Sequence, residues 1–438
     1  MLIKDLENKK ILILGFGREG QDTFLFLRKE FPEKMIGIAD KLEQEKFPRE
    51  TQELFRKDKA VVLHLGDEYL KAIKKYDVVI KTPGIPLEFL KPFLGKNQIL
   101  TSQTNIFFEH CPGMIIGITG TKGKSTTSTL IYEVLKNGGV SAHLIGNIEK
   151  PVLQFLSHAS AHDVFVYELS SFQLELLHKS PHIAVFLNLY PEHLDHHGSF
   201  QNYREAKTHI TKFQSKEDYL VFNREDPNVR KIALKSKARK IPFQPLKKRN
   251  ASFVASVQPA IIIGKIFKIP KGEINEAIRN FRPLPHRLEG VGKYRGITFI
   301  NDSLATIPEA TQAALSVLGK EVQTLILGGF DRGISFHTLA ESILASSVKT
   351  VILFPTTGQR VWQEVEKLAK KIPPKRLPQR FFVDQMEAAI RLCYEHTEKG
   401  NICLLSPASP SFTSFRDYKD RGDQFKKFVA MYGKQSAS

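Results

Sequence analysis

At roughly 150 residues per domain, a chain of 438 residues has room for about three, and 42% apolar with 25% charged residues excludes wholesale disorder. Lys and Arg number 64 against 46 Asp and Glu, a net charge of +18, but they are scattered, with short clusters only at Lys235–Lys240 and Lys247–Arg249, which describes a solvated surface and not a nucleic-acid-binding stripe. No run approaches the roughly 18 apolar residues of a spanning helix, Met1–Lys10 lacks a signal-peptide core, and Cys111, Cys393 and Cys403 have no CxxC spacing, so the cytoplasm is the expected compartment.

In chain order, Ile11–Leu14 is a short apolar run suited to a buried parallel strand, followed at once by Gly15-Phe16-Gly17-Arg18-Glu19-Gly20. A second strand, Met35–Ala39, ends in Asp40, and a third, Asp77–Ile80, runs into Thr82-Pro83-Gly84. Alternation of this kind predicts a small parallel α/β sheet. A second α/β unit opens with Met114–Ile116, a Gly-rich loop and a helix through Leu135, then strands at Val164–Tyr167 and Ile183–Leu187 and a polar, His-rich stretch from Asn188 to His209. Pro283 and Pro285 mark a linker. Beyond it, strands at Ile297–Ile300, Thr324–Leu327, Val351–Phe354 and Ile402–Leu405 predict a third α/β unit, closed by a helix whose Phe425, Phe428, Val429 and Tyr432 share one face.

Gly120-Thr121-Lys122-Gly123-Lys124-Ser125-Thr126-Thr127 carries the clearest chemistry. A Gly-rich loop between a strand and a helix N-terminus turns backbone N–H groups and the positive dipole end toward phosphates. Lys124 can reach the β/γ-phosphates and the Ser125 hydroxyl can bind Mg²⁺. Ile118 stands where a strict P-loop has glycine, which disfavours a generic ATPase. Glu168, ending a strand, can ligate a cation held by those phosphates, and His193, Asp195, His196 and His197 follow another strand, where α/β sheets place ligands. Gly15–Gly20 matches GxGxxG with Asp40 at the distance of a ribose-binding acid. That loop suits a nicotinamide cofactor or the diphosphate of a nucleotide-linked sugar, but a dehydrogenase would leave Lys124, Glu168 and Lys207 without purpose.

These motifs in their order resemble the Mur ligases: Thr119–Thr127, Gly146-Asn147-Ile148, Glu168–Glu175, Asn188–Gly198, Ala206-Lys207, Pro285–Glu289, Asn301-Asp302-Ser303 with Ala305-Thr306, Leu327–Gly329 and Leu404–Ala408. Within the family the likeness is to the branch that adds D-glutamate, through the Gly15–Gly20 loop, Thr82–Ile85 and Arg421–Phe425. The resemblance implies an α/β chain of three domains: Rossmann-like at 1–104, a P-loop ATPase-like unit at 105–284, and Rossmann-like again at 285–438. It implies an ATP-dependent ligase of peptidoglycan precursor synthesis, acting as a monomer on UDP-N-acetylmuramoyl-L-alanine and an amino acid, D-glutamate expected, by way of an acyl phosphate. By the same resemblance ATP lies on Gly120–Thr126, Asn250, Arg287 and Asp302, shared between the central and C-terminal domains. Two Mg²⁺ ions lie on Ser125 with Glu168 and on His193 with a carbamylated Lys207. Gly15, Phe16, Gly17, Arg18, Asp40, Lys41, Thr82, Pro83, Gly84, Asn147, Ser170 and Ser171 meet the UDP-linked substrate, and Thr306, Arg332, Ser411 and Tyr418 meet the amino acid.

Three departures stand out. Leu304 replaces a lysine usual in the D-glutamate-adding branch, Lys122 an asparagine of the phosphate loop, and Phe253 a second asparagine near the adenine. Leu304 keeps open a sister ligase with another amino acid or acceptor.

Overall fold

Short runs of Ile, Val, Leu and Phe, too apolar to face water on either side, become interior strands of parallel sheets covered by helices. The computed structural model describes residues 3–146, 152–245, 251–281, 285–370 and 377–434, excepting the side chains of 195 and 251–255. Asn147, Asn250 and Phe253 therefore lie outside what is described.

The first sheet holds β1 (Ile11–Leu14), β2 (Ile36–Asp40), β3 (Val61–Leu65), β4 (Val78–Lys81) and β5 (Ile99–Thr101), all parallel, in the order β3-β2-β1-β4-β5. Strand order reverses between β1 and β4, the switch point where doubly wound sheets open a ligand crevice. The second holds β6 (Met114–Thr119), β7 (Ala142–Gly146), β8 (Val164–Glu168), β9 (Ile183–Phe186), β10 (Tyr219–Asn223) and β11 (Arg239–Phe243), in the order β11-β10-β9-β6-β8-β7, also parallel. The third holds β12 (Glu289–Tyr294), β13 (Ile297–Asn301), β14 (Val322–Gly328), β15 (Thr350–Phe354), β16 (Gln379–Phe382) and β17 (Ile402–Leu405), in the order β12-β13-β17-β14-β15-β16, with β12 an antiparallel edge.

Met1–Phe281, with the first two sheets, form one compact unit and Arg282–Ser438 another. In the first unit one hydrophobic core runs through both sheets, with Phe107 packed edge-on against Phe165 and Tyr167. A polar seam lies beside it. Asp22, on the helix Arg18–Glu30, accepts from Gln103 Nε2 (2.6 Å) and from the backbone N–H of Leu153 (3.1 Å) through Oδ2, while its buried Oδ1 has no partner among the described residues. Burial pushes this carboxyl up to about 6.

The expected apolar face of the last helix is present: Phe425 and Val429 are buried in the third sheet's core, with Phe428 and Tyr432 packed against it. The polar stretch after β9 is more ordered than its composition suggests. It contains two helices, Leu194–His197 and Phe200–Lys212, the second capped by Ser199. Among the described residues no helix is long and apolar enough to cross a membrane.

Candidate active site

The loop Gly120–Gly123 joins β6 to the helix Lys124–Asn137. Lys124 Nζ donates to the carbonyls of Gly120 (3.0 Å) and Thr121 (3.1 Å), so the ammonium lies folded over the phosphate loop. Lys122 and Asn188 clamp the outer side: the Lys122 N–H donates to Asn188 Oδ1 (2.8 Å), and Asn188 Nδ2 donates back to the Lys122 carbonyl (3.0 Å).

Register places an anion beside this loop. Glu168, the last residue of β8, pairs with Ile118 of β6 and is fully buried. Neither of its carboxylate oxygens, nor the buried Ser125 hydroxyl, has a hydrogen-bond partner among the described residues. A buried carboxylate with empty lone pairs is costly unless a cation fills them. Hard oxygen donors at the start of a phosphate-binding helix suit Mg²⁺, which takes one or two protein ligands and completes its shell with phosphates and water. The described residues contain no group of three or more His, Cys, Asp or Glu able to hold a metal by themselves, as such a site requires none.

Lys207 reaches the same loop from the helix Phe200–Lys212. Its Nζ donates to Thr119 Oγ1 (3.1 Å) and the Gly120 carbonyl (3.0 Å) and stands 5.1 Å from the centre of the Tyr203 ring. Burial and then the neighbouring Lys124 hold this amine well below the usual lysine range, against the pull of Glu192 and Glu168. His193 caps the helix Leu194–His197 with φ 55°, a left-handed conformation rare outside glycine and asparagine and found at functional sites. Its ring also meets Tyr203, 6.3 Å between centroids, and its Nε2 lies 3.7 Å from Glu192, which also pairs with Lys122.

In the first sheet, Gly15 adopts φ +90°, and a Cβ there would run into Thr82 Oγ1, so the loop and the Thr82-Pro83-Gly84 turn meet only through a glycine. Asp40 is largely committed to shaping this loop. Its Oδ2 accepts from the Phe16 N–H (2.6 Å) and its Oδ1 from the Leu42 N–H (2.9 Å). The Phe16 ring is buried against Phe24, Phe47 and Phe55, which leaves only its backbone at the crevice. Gly17, Arg18, Lys41 and Gly84 are exposed, Thr82 and Pro83 half-buried. Ser170 caps the helix Ser171–Leu174 in a capping box with Gln173, whose Nε2 donates to Glu19 Oε1 (2.9 Å) and so ties this segment to the Gly-rich loop.

One cluster escaped the sequence reading. Lys81, ending the apolar β4, is buried with Nζ 3.5 Å from Glu175; Glu175 lies 3.7 Å from His197 Nδ1, and His197 Nε2 stands 3.0 Å from Ser171 Oγ. Burial, then His196 and His193, push His197 down to about 4, so it is neutral at pH 7. A lysine closing a strand of three apolar residues was the available signal.

The remaining expected residues belong to the second unit. Asp302 is buried, accepting from the Leu288 N–H (3.1 Å) and Ser406 Oγ (2.8 Å), and burial raises its carboxyl to about 7. Arg287 and Arg332 are exposed, Thr306 and Tyr418 half-buried, and Ser411 buried.

A family profile described as the Mur ligase middle domain matches residues 118–277, and one described as Mur ligase, glutamate ligase domain, matches 286–409. The chain belongs to the Mur ligase family and is an ATP-dependent amide ligase. Its similarity narrows further. The UDP-N-acetylmuramoylalanine–D-glutamate ligase of Symbiobacterium thermophilum is 33% identical, the match covering 90% of this chain and 92% of that one. The enzyme of the same name from Acetivibrio thermocellus is 32% identical over 97% of both chains. Among solved structures, the MurF ligase of Thermotoga maritima in complex with ADP shares the fold, with a TM-score of 0.53 at 15% identity and 98% of each chain covered.

Proposed function

We propose that this ligase joins D-glutamate to UDP-N-acetylmuramoyl-L-alanine, consuming ATP, in the cytoplasmic assembly of peptidoglycan precursors. Amide formation from a carboxylate is unfavourable in water, so the acid is activated first. An alanine carboxylate oxygen attacks the γ-phosphorus and ADP leaves. The amine then attacks the acyl carbon, loses a proton, and the tetrahedral adduct expels phosphate. Negative charge gathers on oxygen at both steps, so cations and N–H donors supply most of the stabilisation.

The observation that carries the reading is the partnerless pair Ser125 and Glu168 beside a phosphate loop that Lys124 and Lys207 flank. Lys124 and the N–H groups of Gly120–Thr126 hold the β/γ-phosphates, with Asn250, Arg287 and Asp302 on the nucleotide. Ser125 and Glu168 hold one Mg²⁺, and His193 with Lys207 a second. Bound there, Mg²⁺ would neutralise phosphate charge and polarise the transferred group. Burial and the neighbouring Lys124 disfavour the Lys207 ammonium, and the free amine is the form that adds carbon dioxide with loss of a proton, which makes it an anionic oxygen ligand. The crevice of Gly15, Phe16, Gly17, Arg18, Asp40, Lys41, Thr82, Pro83 and Gly84 takes the UDP group. Asn147, Ser170 and Ser171 take the muramoyl-alanine side, and Thr306, Arg332, Ser411 and Tyr418 the amino acid. Domains at 1–104, 105–284 and 285–438 divide these tasks within a monomer.

Phosphate release from ATP, with UDP-N-acetylmuramoyl-L-alanine and a panel of D- and L-amino acids, tests the reading. Turnover is expected with D-glutamate. No ATP consumption with any member of the panel would overturn it.

A further inference from the structure

Arg421 is among the most deeply enclosed large side chains of the molecule, at 0% exposure. Its Nε donates to Ser303 Oγ (3.0 Å), one terminal nitrogen to the Ser409 carbonyl (3.0 Å) and the other to the Ser303 carbonyl (2.8 Å). All three acceptors are neutral. Among the described residues no carboxylate pairs with it, and the neighbouring acids are engaged elsewhere. Asp420 accepts from Gln424 and the Arg416 N–H, Asp417 from the Asp420 N–H, Asp423 pairs with Lys426, and Asp302 accepts from Ser406 and Leu288. Arg421 also sits in the first turn of the helix Tyr418–Lys434, at the positive end of the macrodipole, where a cation is disfavoured. Two positive features thus coincide in the interior with no paired anion among the described residues.

The guanidinium is where several segments converge. Ser303 precedes Leu304 and lies three residues before Thr306, and its Oγ also donates to the Tyr418 carbonyl (2.8 Å). A Cβ on Gly329, three residues before Arg332, would lie 3.2 Å from an Arg421 terminal nitrogen. Ser409 leads to Ser411 and Phe412, whose exposed ring packs 6.3 Å from that of Phe330 at the surface of the same region. The four segments that supply Thr306, Arg332, Ser411 and Tyr418 therefore pack around one uncompensated positive charge.

We propose that Arg421 is a specificity-determining residue whose buried charge makes this site select an amino acid with a second carboxylate. The proposal rests on the reading of these segments as the amino-acid site. Arg332, exposed, can grip one carboxylate in a bidentate pair. Arg421, enclosed, touches no ligand; its field acts across the Ser303 and Gly329 backbone on the other carboxylate, and low local dielectric keeps that field strong.

The test compares kcat/KM for D-glutamate with that for D-glutamine, a neutral near-isostere. Arg421→Met and Arg421→Gln, the latter keeping a donor for Ser303, should lower the D-glutamate to D-glutamine ratio about 30-fold, or about 2 kcal/mol at 1.4 kcal/mol per tenfold. The loss should fall on KM for D-glutamate and leave KM for ATP and for the UDP-linked substrate unchanged. Arg421→Lys should keep most of the ratio. Leu304→Lys in the otherwise intact protein, which adds a cation one residue from Ser303 without disturbing the interior, should raise the ratio several-fold, so a failure of the Arg421 variants to fold leaves a working test. An unchanged ratio in a folded neutral variant, all three KM values rising together, or an unchanged ratio in Leu304→Lys would overturn the proposal. Absence of D-glutamate turnover in the unaltered protein would instead sink the proposed function.

Discussion

The two units bury opposite needs. Beside the phosphate loop the enclosed Glu168 carboxyl has no hydrogen-bond partner among the described residues; under the segments around Ser303, Gly329 and Ser409, the enclosed Arg421 guanidinium has no carboxylate partner among them. Both arrangements are unfavourable in the free protein, because a buried charge loses hydration that neutral hydrogen bonds replace only in part. On the reading proposed above, a bound cation would answer the first, and the field of the second would act on a bound acidic amino acid. On that reading the sign of the unmet charge separates the two proposed binding tasks, a cation with its phosphates in the first unit and an acidic amino acid in the second.

Breaking the first side should have the largest effect. Lys207→Ala removes the amine that borders both the loop and Tyr203, and ligation should fall by at least about 10³-fold, equal to about 4 kcal/mol at 1.36 kcal/mol per tenfold. Steady-state phosphate release checks it, and near-normal turnover would remove Lys207 from the metal site. A contrast within the first unit sharpens the comparison. Asp22, like Glu168, buries an oxygen without a partner, but in a seam of Gln103 and Leu153 where no ligand is proposed, so its charge is merely destabilising. Its carboxyl is raised from 3.8 to about 6, so the stability linked to its protonation is fully present below about pH 4 and lost as pH rises through 6. Asp22→Asn should therefore stabilise the protein at pH 8 by about 1–3 kcal/mol and change little at pH 4, as urea unfolding at the two pH values would read. The smallest effect is expected on the second side. Leu304→Ala, which alters no charge, should change kcat and KM for D-glutamate by less than about threefold, within the usual spread for a partly exposed position.

Much of this architecture is legible in the residue order, and the illegible part follows a rule. The strands read directly from apolar runs, β1, β2, β4, β6, β8, β9, β13, β14, β15 and β17, all lie inside their sheets. Those not named from the sequence are the edges β3, β5, β7, β11, β12 and β16, together with β10 beside an edge, although β3 and β10 do carry the short apolar runs Val61-Val62-Leu63 and Leu220-Val221-Phe222. An edge strand has one neighbour and a wet flank, so it tolerates Arg239 and Lys240 in β11 or Gln379 and Arg380 in β16, and such residues erase the apolar run.

The site divides in the same way. Lys124, Ser125 and Glu168 are visible because a strand end and a Gly-rich loop advertise their chemistry, whereas Lys207, inside the helix Phe200–Lys212, stands out only through the resemblance; the four do gather at one place. The Phe16 ring belongs to the core and only its backbone faces the proposed UDP crevice, while Asp40 accepts from the Phe16 N–H of the Gly-rich loop and from the Leu42 N–H, features that spacing alone does not encode. Arg421 lay in a recognised segment but carried no role, since an unpaired buried charge is a tertiary property that no spacing encodes.

The most direct measurement follows oxygen. UDP-N-acetylmuramoyl-L-alanine labelled with ¹⁸O in the alanine carboxylate is turned over with ATP and D-glutamate, and the released phosphate is weighed by mass spectrometry. Transfer of one labelled oxygen to phosphate for each amide formed is expected, because the carboxylate oxygen that attacks phosphorus departs with it. Unlabelled phosphate, with amide still produced, would contradict activation of the acid by ATP.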